Sequence, residues 1–412
     1  MSLLYGNAVV GQSGGPTSAI NATLSGVIRG AYESHKAGII KTLYGMKNGI
    51  EGFLNEDFVD LFEIFDTEEK LHTLECTPSA ALGSCRRKLK DHVKDRETFD
   101  EILRIFKKYN IRYFFYIGGN DSMDTVLKLS NYAADHDYEM RVIGVPKTID
   151  NDLMATDHTP GFGSAAKFVA ATMKEIRRDV SVYTLDAVTI VEVMGRDAGW
   201  LTAATALPSL TGDGPDLIYL PERVFDPEQF LRDVRECLER HPAVLVAASE
   251  GIRFADGRYV GEGTDSRKVD AFGHTALSGT GKVLEELVKK NIGCKVRSIE
   301  LSLPQRCAAH IASLTDLEES VRVGMGGVLL AVSGATGVMM TLVRDKSETY
   351  SVHIGKADIA TIANEIKRVP DEYINAEGNG ITRAGLDYLA PLIIGEPYIE
   401  YEYGMPKHFV IE

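Results

Sequence analysis

The chain has 412 residues, 59 of them acidic and 45 basic, for a formal net charge of −14, and is 44% hydrophobic and 25% charged. These values describe a globular protein long enough for two domains with large cores. The acidic balance argues against a nucleic-acid or membrane-surface binder, whose affinity comes largely from Lys and Arg, although a few local cations can still hold an anionic small substrate. No apolar run approaches the roughly 20 residues of a membrane span, and MSLLYGNAVV lacks the basic and long apolar regions of a secretory signal. The five cysteines, Cys76, Cys85, Cys237, Cys294 and Cys307, form no CxxC pair. A cytoplasmic protein without disulfides or cysteine-bound zinc is expected.

In chain order, short apolar runs alternate with helical patterns. NAVVGQ, YFFYIGG, RVIGVP, VTIVEVMG, DLIYLPE and AVLVAASEG read as strands covered on both faces. Helices are predicted over 17–34, 97–109, 121–134, 162–179, 227–241, 278–290 and 306–324. This alternation indicates βαβ units and mostly parallel sheets, an α/β fold. Beyond about residue 340, VRDKSETYSVHIGK predicts an antiparallel hairpin. DIATIANEIKRVPDEYIN predicts a helix ending before Pro370, and the stretch around APLIIGEPYIEYEYGMP an extended tail.

Ligands of open α/β sheets bind beyond the carboxyl ends of the strands, so the polar residues there are the candidates. GQSGGPTSAINA puts Gly14 and Gly15 between a strand and a helix start, where backbone can approach a phosphate and helix N–H groups face it. A tight strand–helix turn is the plain alternative. YIGGNDSMDT repeats the arrangement with Gly119, Asn120 and Asp121, although Asp121 or Ser122 could serve only as a helix cap. PKTIDND carries Lys147, Asp150 and Asp152 within six residues, more charge than a turn needs. A carboxylate there suits a general base toward a hydroxyl, or a divalent metal, and the lysine suits a transferring phosphoryl group.

Further strand ends supply Met194, Gly195 and Arg196 in VMGRDAGW, Glu250 in AASEGIR, and Arg297 and Arg306 in RSIELSLPQR; LGSCRRKLK adds Arg86 and Arg87. Each arginine alone reads as a surface residue, but together they suit a ligand with separated phosphates. GHTALSGTGKV lacks Walker-loop spacing, since Ala276 and Val283 stand where Gly and Ser/Thr are required. No GxGxxG with a downstream acid is present, and His158 reads as a structural loop residue.

GQSGGPTSAINA, GGNDS, PKTIDND, MGR, SEG and the R…PQR segment, in this order over about residues 5–310, resemble the phosphofructokinases, specifically their pyrophosphate-dependent branch. The resemblance implies two Rossmann-like parallel-sheet domains with the active site in the cleft between them. Residues 1–160 plus about 305–412 would bind the pyrophosphate donor, and 161–304 the sugar phosphate. It implies Mg²⁺-assisted transfer to the 1-hydroxyl of fructose 6-phosphate. Asp150 matches the base, with Lys147 and Asp152 beside it. Thr148, Ile149, Asp150, Met194, Gly195, Arg196, Glu250, Arg297 and the Leu303, Pro304, Gln305, Arg306 run match the sugar-phosphate site. Gly14, Gly15, Arg86, Gly119, Asp121 and Lys147 match the donor site, with Asn120 and Asp121 toward the metal.

The donor follows from two positions. ATP-using members of that family have GGDGS, where a small glycine leaves room for the α-phosphate; here Asp121 would crowd and repel it. Bacterial ATP enzymes have Gly where this chain has Lys147. Three departures stand out: Asn120 replaces the aspartate associated with Mg²⁺, Leu303 a histidine near the sugar phosphate, and Ala187 an arginine that crosses a subunit interface. Arg297-type residues come from a neighbouring subunit, so a homodimer or homotetramer is implied. Two other readings stay open: a kinase using ATP or another sugar phosphate such as sedoheptulose 7-phosphate, and a silent sugar-phosphate-binding regulatory subunit.

Overall fold

The computed structural model describes residues 3–85, 87–262, 279–362 and 365–411. Apart from a short ribbon that pairs Tyr401–Glu402 with Met405–Pro406, its strands form two sheets: β1 Gly6–Gln12, β2 Ile40–Met46, β3 Phe58–Asp60, β4 Ile111–Gly118, β5 Arg141–Pro146, β6 Ala187–Val193, β7 Leu217–Tyr219, β8 Ala243–Ser249, β9 Lys295–Glu300, β10 Val338–Arg344 and β11 Val352–Asp358. One sheet has the order β11-β10-β5-β4-β1-β2-β3 and the other β7-β8-β6-β9. The second is parallel throughout, whereas the first carries antiparallel edges at β2–β3 and β10–β11. The fold is α/β, with two parallel-sheet units.

Burial explains the elements. β5 and β8 are buried at every position, as strands sandwiched between helices must be. Helix Arg96–Lys108 buries Phe99, Ile102, Leu103, Ile105 and Phe106, an apolar stripe at three- and four-residue spacing, and exposes its charges. Helix Pro227–Arg240 starts where the Asp226 carboxylate accepts from Glu228 N and Pro227 supplies a preset φ. Helices Ile20–Lys36 and Leu314–Val332 pack with backbones nearly touching. A Cβ at Gly26 would lie 2.1 Å from Val321 O, and one at Gly324 2.2 Å from Thr23 O.

Some expectations change. The predicted helix 306–324 is broken: Pro304–Cys307 is one turn, Ala308 and Ala312 leave helical geometry, and Ser313 caps a new helix, Leu314–Val332, accepting from Asp316 N. The predicted helix before Pro370 does not form in the described residues. Asp358 completes the β10–β11 ladder and then caps a single turn, Ile359–Thr361. Further on, Lys367 N and Val369 N donate to Asp152 O and Glu222 Oε1 rather than to helix carbonyls. Strands β2 and β9 were not legible as strands. The start of predicted helix 278–290, together with most of GHTALSGTGKV, lies outside the described residues; the helix observed is Thr280–Asn291.

The expected grouping of 305–412 with the first unit also divides. β10 and β11 extend the first sheet, but Val369, Ile374, Tyr388, Leu389 and Leu392 pack with Phe162, Trp200 and Leu245 in the core of the second. The chain then returns, and Phe409 meets Phe65 at the first sheet's edge. Apolar side chains on 369–392 leave water wherever a matching surface lies, and that surface is the second core.

Candidate active site

The order of the first sheet reverses at β1, which has β2 on one side and β4 on the other. Loops after β1, β4 and β5 diverge there and open a crevice. Opposite lie the loops after the adjacent strands β6 and β8 of the second sheet. Between them is a cavity of about 530 Å³. One wall carries Gly14, Gly15, Gly119, Asn120 and Asp121, the other Met194, Arg196, Asp197 and Glu250; Lys147, Thr148, Ile149, Asp150 and Asp152 form the floor.

The first wall is held by local constraints. Gly14 has φ +77°, a left-handed conformation that L side chains resist, and its carbonyl accepts from Ser84 Oγ at 2.7 Å. Ser122 Oγ donates to Ser13 Oγ at 2.9 Å and so ties the β4 loop to the β1 loop. Lys147, 3% exposed, reaches from the end of β5 to donate to Gly15 O at 2.6 Å. Helix Asn120–Asp135 begins without a side-chain cap, its dipole end toward the cavity. Asn120 Oδ1 is buried with no partner among the described residues. Asp121 pairs with Lys88 at 2.8 Å.

The floor is electrostatically strained. Asp150 N donates to Thr148 Oγ1 at 3.1 Å, and that hydroxyl lies 3.3 Å from Asp150 Oδ2. Burial raises the Asp150 pKa above the usual carboxylate range, opposed by the Thr148 hydrogen bond and by Lys147 and Arg196. Burial, and then the charge of Asp150, push Asp152 up to about 7. Burial likewise raises Glu250 to about 7, although Gly195 N donates to its Oε1 at 3.3 Å. Three half-buried carboxylates around one cavity, two of them raised to about 7, fit proton transfer better than structural pairing.

Gly195 stands just behind the second wall; at φ +134°, an added Cβ would meet Ala198 O at 2.6 Å. Arg196 lines the cavity, and its Nε is buried without a partner among the described residues. Gln305 is 1% exposed and outside the cavity; its Oε1 accepts from Met194 N at 3.0 Å, so it fixes backbone. Arg306, expected with the sugar-phosphate group, reaches the donor loop: a Cβ at Gly15 would come 3.2 Å from its Nη1. Leu303 and Pro304 are exposed beside the cavity rather than on it. Arg297 is not at a strand end but mid-strand on the exposed edge strand β9. Arg86 lies outside the described residues.

Two charged lining residues were not singled out from sequence. Lys88, in the LGSCRRKLK stretch weighed for its arginines, meets the cavity through Asp121. Asp197 carries an ion pair with Arg253 and accepts from Tyr259 OH at 3.4 Å. Their signal was proximity to motifs, and only folding shows which of several adjacent charges turns inward. His158 is a structural residue: its ring nitrogens sit 2.8 Å from Asp157 Oδ1 and 2.6 Å from Glu319 Oε2. No helix of the described residues is long and apolar enough to cross a membrane. All five cysteines are free.

The phosphofructokinase family model matches residues 7–325. A Methylococcus capsulatus protein named pyrophosphate–fructose 6-phosphate 1-phosphotransferase is 42% identical, covering 98% of this chain and 96% of its own. The crystal structure of a pyrophosphate-dependent phosphofructokinase from Nitrosospira multiformis superposes with a TM-score of 0.88 at 38% identity, over 98% of this chain and 96% of that one. An Alkalicoccus urumqiensis protein named sulfofructose kinase is 30% identical, covering 89% of this chain and 91% of its own. With the glycine loops, the lysine and the carboxylate pair gathered at one cleft, these likenesses mean that the chain belongs to the phosphofructokinase family, on the branch of these pyrophosphate-named transferases.

Proposed function

We propose that the chain transfers a phosphoryl group from pyrophosphate to the 1-hydroxyl of fructose 6-phosphate, giving fructose 1,6-bisphosphate and phosphate, reversibly. The observation that carries this reading is the β5 loop. It sets Lys147 against the donor loop and Asp150 on the cavity floor, between two walls of opposite character. Phosphoryl transfer needs in-line positioning and charge stabilisation above all. Pyrophosphate lies along Gly14, Gly15 and the start of helix Asn120–Asp135; the sugar phosphate lies against Met194, Arg196 and Glu250. Asp150 takes the hydroxyl proton as the oxygen attacks phosphorus, and the bridging bond of pyrophosphate breaks to release phosphate. Lys147 neutralises the transferring group.

Asp121 supports pyrophosphate over ATP. Its carboxylate stands in the first turn of the donor helix, where a nucleotide's α-phosphate would meet a like charge. Mg²⁺ is a hard cation that favours oxygen ligands, and Asn120 and Asp121 would hold it beside the substrate phosphates. The unpartnered Asn120 Oδ1 and the Asp121 carboxylate fit that demand, and the ion would neutralise phosphate charge there. A cytoplasmic homo-oligomer belongs to the same reading. Arg297, exposed on the β9 edge, would act at a site only through a second copy, and light scattering of the purified protein measures that assembly.

The deciding experiment is a coupled assay of pyrophosphate against ATP, crossed with fructose 6-phosphate against sedoheptulose 7-phosphate at matched concentration. Turnover with pyrophosphate and fructose 6-phosphate well above the other three pairs is expected. Turnover only with ATP, or none with any pair, would replace this reading with a nucleotide-dependent kinase or a silent regulatory subunit.

A further inference from the structure

Residues 366–369 bridge the two walls from behind. Lys367 N donates to Asp152 O at 2.8 Å. Lys367 Nζ donates to Asn151 Oδ1 at 3.0 Å, Thr156 O at 3.1 Å and Asp157 O at 2.7 Å, using all three ammonium protons on the loop that follows β5. On the other side, Trp200 Nε1 donates to Lys367 O at 2.9 Å, and Val369 N donates to Glu222 Oε1 at 3.0 Å. The same Glu222 oxygen accepts from Gly199 N at 2.9 Å, at the end of the MGRDAG loop. Ile366 reaches the cavity itself. One short segment thus holds the base loop of the first sheet and the sugar-side loop of the second.

Asn151 is the point of contact that matters. It lies between Asp150 and Asp152, fully buried, with φ +52°, a left-handed conformation costly for any residue but glycine and tolerated best by Asn and Asp. Its Oδ1 accepts from Lys367, and its Nδ2 donates to Tyr388 OH at 3.1 Å. Both partners come from the C-terminal segment. An ammonium buried here is expensive: desolvation lowers the Lys367 pKa to about 7 despite Asp157 and Asp152. A leucine would fill the space more cheaply, so the lysine's hydrogen bonds must supply something that packing does not.

We propose that Lys367 is a positioning residue for phosphoryl transfer, and that segment 366–369 is a strap that sets Asp150 against the sugar-side loop through Asn151. The inference rests on the reading of Asp150 as the base. Lys367 touches neither substrate; it locks the backbone that aims the carboxylate. A misplacement of about 1 Å at a reacting group can cost on the order of 10²-fold in rate. Lys367→Met keeps the length and apolar stem of the side chain and removes the three donors. It is expected to lower kcat by roughly 10- to 100-fold, while the KM for pyrophosphate and the Kd of methylenediphosphonate stay within about twofold of wild type.

Wild-type kcat in a folded Lys367→Met protein would overturn the proposal. So would a parallel loss of kcat and methylenediphosphonate affinity, which marks general damage to the donor wall. If Lys367→Met does not fold, Trp200→Phe decides: it removes the donor to Lys367 O and leaves a smaller aromatic ring in the same core position, with a melting curve to separate lost packing from the lost bond. A severalfold fall in kcat at unchanged pyrophosphate KM supports the strap; unchanged kcat sinks it. Asp150→Asn, measured alongside, separates the two levels. If that variant keeps more than a tenth of the wild-type rate, the base assignment fails, whatever Lys367 does.

Discussion

The two walls of the cavity are made by different means. The donor wall is mostly backbone: Gly14, Gly15 and Gly119 leave the main chain bare, and Ser13, Ser122 and Lys147 tie its three loops together within a few ångströms. The acceptor wall is mostly side chains, Arg196, Glu250 and Asp197, and Glu250 and Asp197 are held by partners far away in sequence, Gly195 and Arg253. A pyrophosphate chain is bound well by N–H groups and cations in a fixed curve. A sugar phosphate has hydroxyls at defined positions and needs directed side chains. So the donor wall tolerates little change in residue size, and the acceptor wall little change in residue chemistry.

The largest effect belongs to the floor that both walls share. Asp150→Asn removes the proton acceptor and keeps the shape. We expect a loss of about 10²–10⁴-fold in kcat, with methylenediphosphonate binding by calorimetry unchanged; weaker diphosphonate binding would mean that Asp150 belongs to the donor wall. Next comes Lys147→Met, which removes a charge seated against Gly15 O. About 10²–10³-fold in kcat should be lost, and an effect confined to the sugar-phosphate KM would place the lysine on the wrong wall.

A smaller effect concerns pH. Asp150 must be ionised to act, and burial raises its pKa, so on acidification the rate should begin to fall at a higher pH than an ordinary carboxylate would set. Burial and then the charge of Asp150 raise Asp152, and two neighbouring carboxyls titrate as a pair that shares its protons. Asp152→Asn should therefore move the acid limb of the kcat profile to lower pH; an unmoved limb would assign it to another group, Glu250 first. The same change has a stability sign. The folded Asp152 carboxyl holds its proton up to about pH 7, while the unfolded one loses it near 4, so ionisation costs stability as pH rises through that window. The melting temperature of Asp152→Asn relative to wild type should thus rise between pH 5 and pH 8. The smallest effect is Asp121→Gly, expected to gain some use of ATP. Unchanged donor preference would leave the like charge in the donor helix without a role in selectivity.

The donor wall was legible because its chemistry is local. A glycine pair after an apolar run, followed by a helix, reads as a phosphate loop or a tight turn from a few residues alone, and both such loops line the cavity. The floor was legible for a similar reason: PKTIDND carries its cation and carboxylates on one continuous turn. The acceptor wall was read less well. Of its expected arginines, Arg196 lines the cavity, Arg306 reaches over to Gly15, and Arg297 faces out from an edge strand. An arginine is long enough to point either way from a strand, and neighbouring sequence does not decide which. Lys88 and Asp197 went unnoticed because each stands beside a more conspicuous charge.

By itself the sequence determined the alternation of strands and helices, the phosphate loops and the reactive turn, all set by interactions within a few residues. Tertiary structure decided which sheet the last 50 residues would serve. The run DIATIANEIKRVP has a helical pattern, yet Asp358 ends the ladder with β10, a single turn follows, and Lys367 and Val369 bond to loops of both sheets. Local helix preference is worth only tenths of a kcal/mol per residue, whereas a ladder of sheet hydrogen bonds and a buried ammonium with three acceptors cannot be left unmade once the two sheets have met. That is why the strap behind Asp150 is visible only in the folded molecule.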